Sequence, residues 1–189
     1  EAIAIAAQRV LCGAVSVAVA GGTESMSMVP LGGQKFAANP RLIDAMPEAY
    51  LSMGLTGENL ARRYGISRES QDAFALSSHR KAIAAIDAGR FEEEILPLSV
   101  RTAEVDEAGR LHEREVVFRV DEGPRRDTSL ERLAQLRPAF RASGTITAGN
   151  ASQTSDGAAA VVVMSSGRAR ELGLAPLARF VTYAVAGVP

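Results

Sequence analysis

The sequence predicts an α/β protein in which a layered core is interrupted by an inserted mixed α+β module. Of the 43 charged side chains, only 3 lie in residues 1–28 and 5 in residues 146–189. Both ends are therefore expected to be interior elements, and residues 29–145 a solvated insertion. Short apolar runs alternate with helical segments at the two ends, as in a layered sheet. A chain of 189 residues with 47% hydrophobic residues can bury a sizeable core.

The first 28 residues predict a helix and then a strand. Residues 1–12 are apolar nearly all round and are followed by Gly13, a favourable residue just after a helix C-terminus. The apolar run 15–20 precedes Gly21-Gly22 and suits a strand covered on both faces. Both elements are expected to be buried.

The insertion combines helices with a polar-edged strand. N-cap and C-terminal signals predict one helix from Thr56 to Tyr64 and a longer one from Ser67 to Gly89. Residues 115–120 have the pattern of a strand. The spacing of Thr128-Ser129-Leu130-Glu131 is that of a capping box, which predicts a further short helix.

After the insertion the chain is predicted to return to the core. Residues 158–164 repeat the apolar strand pattern, 168–172 form a short helix capped by Gly173, and 177–185 are another strand candidate. The predicted division of the chain is 1–28 and 146–176 for one core domain, 29–145 for the insertion, and 177–189 for the start of a second core domain.

Composition excludes several classes of function. A formal net charge of -1 provides no attraction to nucleic acid or to an anionic membrane. No apolar run approaches the ~18 residues of a membrane span. A single cysteine excludes an internal disulfide and fits a reducing compartment, and no leader is visible, so we expect a cytoplasmic protein. Neither a nucleic-acid partner nor a membrane span is expected.

The usual metal and phosphate motifs do not occur, and the isolated reactive side chains favour structural roles. His79 and His112 stand alone and are predicted to be helix-surface or edge residues. Cys12 lies at the C-terminal end of its predicted helix, where the negative end of the dipole disfavours a thiolate. We therefore expect Cys12 to be a small buried hydrophobe and not a nucleophile.

Residues 145–160, Thr-Ile-Thr-Ala-Gly-Asn-Ala-Ser-Gln-Thr-Ser-Asp-Gly-Ala-Ala-Ala, are the most informative segment. Small and hydroxyl-bearing side chains let a backbone approach a ligand or another strand closely. This segment closely resembles the thiolase family. Residues 17–28, 52–61, 67–75 and 136–140 are similar to further thiolase segments, in the order that the family has them.

The resemblance implies a thiolase-like layered α/β core, present here in part, with the insertion as the loop domain. It implies that a cysteine thiolate attacks the 3-keto carbonyl of an acyl-CoA, acetyl-CoA leaves, and a second CoA takes the shortened acyl group. The family's C-x-[SG]-G-L nucleophile run, its Gly-His-Pro histidine and its Cys-x-Gly cysteine do not occur in these 189 residues. We therefore predict no catalytic residue here, an internal fragment, and no activity of the chain alone.

The resemblance also implies polar contacts to CoA, which would be a substrate; no cofactor or metal is expected. Arg125 would face the phosphates or the adenine, since a guanidinium can form bidentate hydrogen bonds and stack. Ser152 would hydrogen-bond the pantetheine arm. Read without the resemblance, Arg125 is a solvated arginine and Ser152 stabilises a turn. Glu24 is assigned a structural role at the dimer or the active-site floor.

The apolar part of the implied CoA site consists of four residues. Leu133 and Phe140 would pack against adenine and pantetheine, Ala148 would leave room for the arm, and Met53 would line the thioester end. Ordinary core packing is the alternative interpretation of Leu133, Phe140 and Met53.

Within the family, Gln153-Thr154-Ser155-Asp156 and Ser52 look more like the degradative 3-ketoacyl-CoA thiolases of fatty acid β-oxidation than the short-chain enzymes. The family implies a homodimer or homotetramer. Two alternatives remain open: a non-catalytic CoA-binding or assembly fragment, and a sterol-carrier-type thiolase or related condensing enzyme.

Overall fold

The computed structural model describes residues 1–187. Its helices are α1 (Ala2–Leu11), α2 (Pro40–Ala45), a 3₁₀ helix (Pro47–Tyr50), α3 (Met53–Tyr64), α4 (Arg68–Asp87), α5 (Leu130–Ala134) and α6 (Ser166–Glu171). Its strands are β1 (Val17–Ser25), β2 (Leu98–Val105), β3 (Leu111–Phe118) and β4 (Asp156–Met164). The chain divides into two compact units: Ala38–Gln153, and Glu1–Ala37 together with the described residues from Thr154 onward.

The unit that contains both chain ends is built on an antiparallel pair of strands. β1 pairs with β4 from Val17 opposite Met164 to Ser25 opposite Asp156. Both strands are longer than predicted, because the pairing continues through Gly21-Gly22 to the carboxylate of Asp156. That carboxylate accepts a hydrogen bond from the backbone N–H of Ser27 at 2.9 Å and so ends the ladder.

α1 packs on these two strands through a buried face of alanines, which consists of Ala4, Ala6 and Ala7. The predictions of a helix buried all round and of a strand covered on both faces are wrong for the described residues. Ile5 on α1 is 56% exposed and Val19 on β1 is 72% exposed. The reason is that α1 covers the sheet with one face only.

Residues 177–185, predicted to be a strand, have no regular secondary structure. A strand needs a neighbour that satisfies its backbone N–H and C=O groups, and within residues 1–187 no strand pairs with this segment. Leu177 and Val181 are exposed. Residues 188–189 of the predicted 177–189 segment lie outside the described residues.

The Ala38–Gln153 unit carries the long helices and a β-hairpin. α4 begins after Ser67, whose hydroxyl accepts a hydrogen bond from Ser70 N–H at 3.2 Å, and Gly89 follows it with φ of 67°, as predicted. β2 and β3 pair from Leu98 opposite Phe118 to Val105 opposite Leu111. The predicted strand 115–120 covers only part of β3, and β2 was not predicted, because the apolar pairs Leu98–Phe118 and Val100–Val116 lie at one end of the hairpin and charged residues fill much of the rest.

α3 begins at Met53, with its N-cap four residues earlier than the predicted cap, Thr56. Ser52 is its N-cap and accepts from Leu55 N–H at 3.4 Å, whereas Thr56 donates its hydroxyl to the Ser52 carbonyl at 3.2 Å. Gly54 is a poor helix former, which hides this start in the sequence. Its lack of a side chain is needed here, since an added Cβ would overlap the ring of Phe140.

None of the helices within residues 1–187 is long and apolar enough to cross a membrane.

Candidate functional site

A groove of about 340 Å³ lies within the Ala38–Gln153 unit. Three stretches of chain form it: one residue of α4, the segment 123–136, and the small-residue segment 148–153. Its lining residues are His79, Gly123, Arg125, Asp127, Thr128, Arg132, Leu133, Leu136, Ala148, Gly149, Ala151 and Gln153. The groove is therefore apolar on one side and rich in hydrogen-bond donors on the other.

Leucine side chains and a glycine backbone meet at the apolar side. Leu133 is only 3% exposed. An added Cβ on Gly149 would lie 2.5 Å from a methyl carbon of Leu133 and of Leu136, so the backbone here touches both leucines directly. A side chain on Gly149 would collide with these leucines, which gives the small-residue segment a physical role.

Two arginines and one carboxylate line the polar side. Arg132 pairs with Asp127 at 2.5 Å, and the Nε of Arg125 lies 3.8 Å from the other oxygen of the same carboxylate. All three side chains are more than half exposed, so these pairs contribute little to stability and can rearrange around an anion. The groove is net cationic.

The two neighbouring arginines, Arg125 and Arg126, have different surroundings. Arg126 donates to both carboxylate oxygens of Asp87, at 2.9 and 2.5 Å. These hydrogen bonds lower the pKa of Asp87 and raise the pKa of Arg126. Arg125 lines the groove, and its backbone N–H donates to Nδ1 of His79 at 3.1 Å. Arg125 is thus available to a ligand and Arg126 is engaged.

A buried carboxylate on α3 holds the loop that leads into the groove. Glu58 is 4% exposed and accepts hydrogen bonds from the backbone N–H of Thr145, at 2.9 and 3.0 Å, and of Ile146, at 2.9 Å. Burial raises the pKa of Glu58, but the N–H groups of Ile146 and Thr145 outweigh it and hold the pKa below its ordinary value. An ionised Glu58 therefore fixes the start of the loop.

A second buried carboxylate, on α4, holds the other end of this loop. Asp72 is 3% exposed, pairs with Arg68 at 2.7 Å, and accepts from Nδ2 of Asn150 at 2.9 Å. Arg68 also donates to the carbonyls of Leu133 and Leu136, at 2.5 and 3.1 Å. Asp72 and Arg68 therefore connect α4 to both the leucine side and the small-residue side of the groove.

Hydrogen bonds within the loop stabilise the part that lies between the contacts to Glu58 and Asp72. Thr147 is fully buried; its N–H donates to Oδ1 of Asn150 at 2.8 Å, and its hydroxyl accepts from Gly149 N–H at 3.2 Å. Nδ2 of Asn150 also donates to the Thr145 carbonyl at 3.1 Å. Every buried polar side chain within residues 1–187 has a partner. A network satisfied in this way fixes the loop in one conformation.

Acid is expected to weaken the hydrogen bonds of Glu58. Because the folded pKa lies below the ordinary 4.5, this contribution to stability is complete above the ordinary value and is lost as the pH falls through the lower folded pKa. Urea unfolding between about pH 6 and pH 3 measures it. Glu58→Gln, which does not titrate, should show a shallower loss; an equal loss in both proteins would contradict the assignment.

The structure brings together three of the six predicted site residues, Arg125, Leu133 and Ala148, in the groove. Ser152 is exposed and lies between Ala151 and Gln153, both of which line it. Phe140 and Met53 are not among the lining residues. Phe140 is 43% exposed against Gly54, and Met53 is the exposed first residue of α3.

Glu58, Arg68 and Asp72 were not predicted from the sequence, although the sequence carries a signal for the two carboxylates. Glu58 lies three residues before Ala61 and Asp72 four before Leu76, and both apolar partners are buried. An acidic residue at a buried helix position needs hydrogen-bond donors around it. His79 was also predicted to be a surface or edge residue, whereas it is half-buried and lines the groove.

The remaining reactive side chains lie elsewhere. Cys12 is exposed, so its predicted burial is wrong: it follows the last turn of α1, where its thiol lies 3.4 Å from the Arg9 carbonyl oxygen. Glu24 is exposed and accepts from its neighbour Ser25 N–H at 3.1 Å. His112 lies on the exposed hairpin, beside Asp106 at 2.8 Å. Within residues 1–187 no group of three metal-ligating side chains occurs.

Comparison with known proteins identifies the family. Residues 1–167 match the model of the thiolase N-terminal domain. The chain belongs to the thiolase family. It is 50% identical over 189 residues to a 3-ketoacyl-CoA thiolase of Bacillus subtilis, covering 100% of this chain and 48% of that protein. It is 46% identical over 200 residues to an acetyl-CoA acetyltransferase of Pseudomonas aeruginosa, covering 100% of this chain and 49% of that protein.

A solved thiolase structure shares the fold. The crystal structure of the Bacillus anthracis acetyl-CoA acetyltransferase matches with a TM-score of 0.77 and 42% identity, over 100% of this chain and 48% of that chain. The resemblance stated from the sequence is thus confirmed, and the chain has a partial thiolase α/β fold. It spans about half the length of the curated relatives it matches.

Proposed function

We propose that the whole protein is a thiolase-type acyltransferase that cleaves a 3-ketoacyl-CoA to acetyl-CoA and a shortened acyl-CoA, or runs the reverse condensation. The relatives bear the names 3-ketoacyl-CoA thiolase and acetyl-CoA acetyltransferase, and the more similar of those two is the former. The motif at 153–156 favours the degradative reaction. The observation that supports this proposal most is the cationic groove with an apolar floor.

These 189 residues supply the CoA-holding part of that site. The guanidinium of Arg125 would contact the phosphates or adenine, and Leu133 would support the apolar face of the ligand. Ala148 would leave space for the pantetheine arm, with Ser152 donating to it. Phe140 and Met53 would line the path toward the thioester. In this proposal the Ala38–Gln153 unit is the inserted loop domain, and the proposed assembly is a homodimer or homotetramer.

The adjacent arginines provide a direct test of the groove. Arg125→Ala is expected to weaken CoA binding at least about tenfold, since a hydrogen bond to a charged group contributes about 1.5–3 kcal/mol. Arg126→Ala is the matched control, because Arg126 is held by Asp87 and does not line the groove. Calorimetric titration with CoA measures both. Absence of CoA binding by the unsubstituted chain, or equal losses in the two variants, would refute the proposal.

The chain alone is expected to bind CoA without cleaving a 3-ketoacyl-CoA. Its single cysteine, Cys12, lies at the C-terminal end of α1, where the helix dipole disfavours a thiolate nucleophile. Formation of acetyl-CoA from a 3-ketoacyl-CoA and CoA is the measurement. Turnover that disappears in Cys12→Ser would show that this assignment is mistaken.

A further inference from the structure

A second groove, of about 410 Å³, lies between α4 and the start of α5. Its lining residues are Ala73, Leu76, Ser77, Arg80, Lys81, Ala84 and Leu130, and none of them lines the groove that contains Arg125. The six α4 residues recur three and four positions apart, so they share one face of the helix over about 16 Å. This surface, which we call the α4–α5 groove, is therefore elongated.

The floor of the α4–α5 groove is apolar and open to solvent. Leu76 is 6% exposed, whereas Leu130 is 45% exposed. Ala73 and Ala84 are also exposed, and their small side chains leave room above the helix. An aliphatic chain laid along this floor would remove apolar surface from water, which is favourable.

Two exposed cations, Arg80 and Lys81, belong to the same lining. Within residues 1–187 neither side chain forms an ion pair. Each acidic residue of α4 and α5 already has a hydrogen-bond partner: Glu69 has Ser67, Asp72 has Arg68, Asp87 has Arg126, and Glu131 has Ser129. The charge of the α4–α5 groove is thus left for an external anion.

The size of the α4–α5 groove favours a small molecule over a protein partner. A stable protein interface involves about 20–30 residues on each side, whereas seven residues line this groove. Its volume lies in the range of about 300–1,000 Å³ that is typical of small-molecule sites. The apolar floor and the two cations then require a ligand with an aliphatic chain and an anionic head group.

We propose that the α4–α5 groove binds a medium-chain aliphatic anion, with its chain on Leu76 and Leu130 and its head group at Arg80 and Lys81. This site does not depend on the proposed CoA-binding function. Binding of such a ligand here is a further activity of the Ala38–Gln153 unit.

Three probes separate the chain from the charge: octanoate, decanoate and octanol. An amide-resolved NMR titration of the 189-residue chain gives the dissociation constants and locates the shifts. Octanol is expected to bind about tenfold more weakly than octanoate, since each of two exposed ion pairs contributes up to about fivefold. A fully buried methylene contributes about fourfold, so in this open groove the two extra methylenes of decanoate should together strengthen binding about fourfold.

The double variant Arg80→Gln/Lys81→Gln is expected to bind decanoate about tenfold more weakly and octanol unchanged. Arg90→Gln is the matched control, because Arg90 is an exposed arginine just after α4 that does not line the groove. Arg125→Ala should also keep its decanoate affinity, which separates this site from the CoA groove. Thermal melts establish that every variant is folded.

The largest shifts with decanoate are expected in α4 from Ala73 to Ala84 and at Leu130. Octanol binding as tightly as octanoate, or equal losses in Arg90→Gln and the double variant, would overturn the inference. It also fails if decanoate shows no saturable binding or shifts mainly segment 148–153. Binding of the chain to phosphatidylglycerol vesicles in place of decanoate would likewise contradict a site for single aliphatic anions.

Discussion

Replacing Glu58 with glutamine is expected to lower the free energy of unfolding by about 3 kcal/mol and to release the loop that forms one side of the groove. The carboxylate accepts from two backbone N–H groups, those of Thr145 and Ile146. Glutamine keeps one acceptor oxygen and turns an NH₂ group toward the second donor. Because the site is 4% exposed, water does not restore the lost hydrogen bond.

Urea unfolding gives the loss of stability, and hydrogen exchange at the amides of Thr145 and Ile146 locates it. Glu93→Gln is the matched control, since Glu93 is exposed and the same change there should have little effect. The CoA affinity of Glu58→Gln should fall as well, because Ala148 and Gly149 belong to the released loop. Unchanged amide exchange in Glu58→Gln would contradict this role.

Replacing Asp72 with alanine is expected to destabilise the protein by about 3–5 kcal/mol. The substitution removes the partner of Arg68, whose side chain is 19% exposed, and leaves a largely buried charge without its carboxylate. It also removes the acceptor of the Asn150 amide. Arg68 and Asn150 in turn hold the leucine carbonyls and the small-residue loop, so both sides of the groove should become mobile.

Asp87→Ala is the comparison for this prediction. Asp87 forms a two-pronged pair with Arg126, but both side chains are more than half exposed. Water therefore replaces the lost partner, and the unfolding midpoint should barely move. Thermal and urea unfolding of the two variants side by side give the result. Similar losses for Asp72→Ala and Asp87→Ala would show that burial does not determine the contribution of Asp72.

Local signals predicted local structure well in this chain. Ser67 and Gly89 mark the ends of α4 because a hydroxyl cap and a positive φ need no distant partner. The start of α3 was misplaced because Gly54, unfavourable in a helix, is selected by contact with Phe140, far along the sequence. The expected strand at 177–185 failed for a related reason: pairing, not composition, makes a strand.

The candidate site also contains some residues that the sequence predicts and others that depend on contacts between distant parts of the chain. Arg125, Leu133 and Ala148 were predicted from family motifs, and the structure brings these three into one groove. Glu58 and Asp72 were missed because their hydrogen-bond partners lie 87 and 78 positions away in the sequence. Helical periodicity alone places a carboxylate on a buried face without saying which backbone amides it meets.

Binding of CoA in this groove is tested most directly by an amide-resolved NMR titration of the 189-residue chain with CoA. We predict that the amides of segments 123–136 and 148–153 shift first and saturate together, with Arg125 and Gly149 among the largest changes. No saturable shifts, or shifts concentrated on the β2–β3 hairpin or around α1, would contradict CoA binding there.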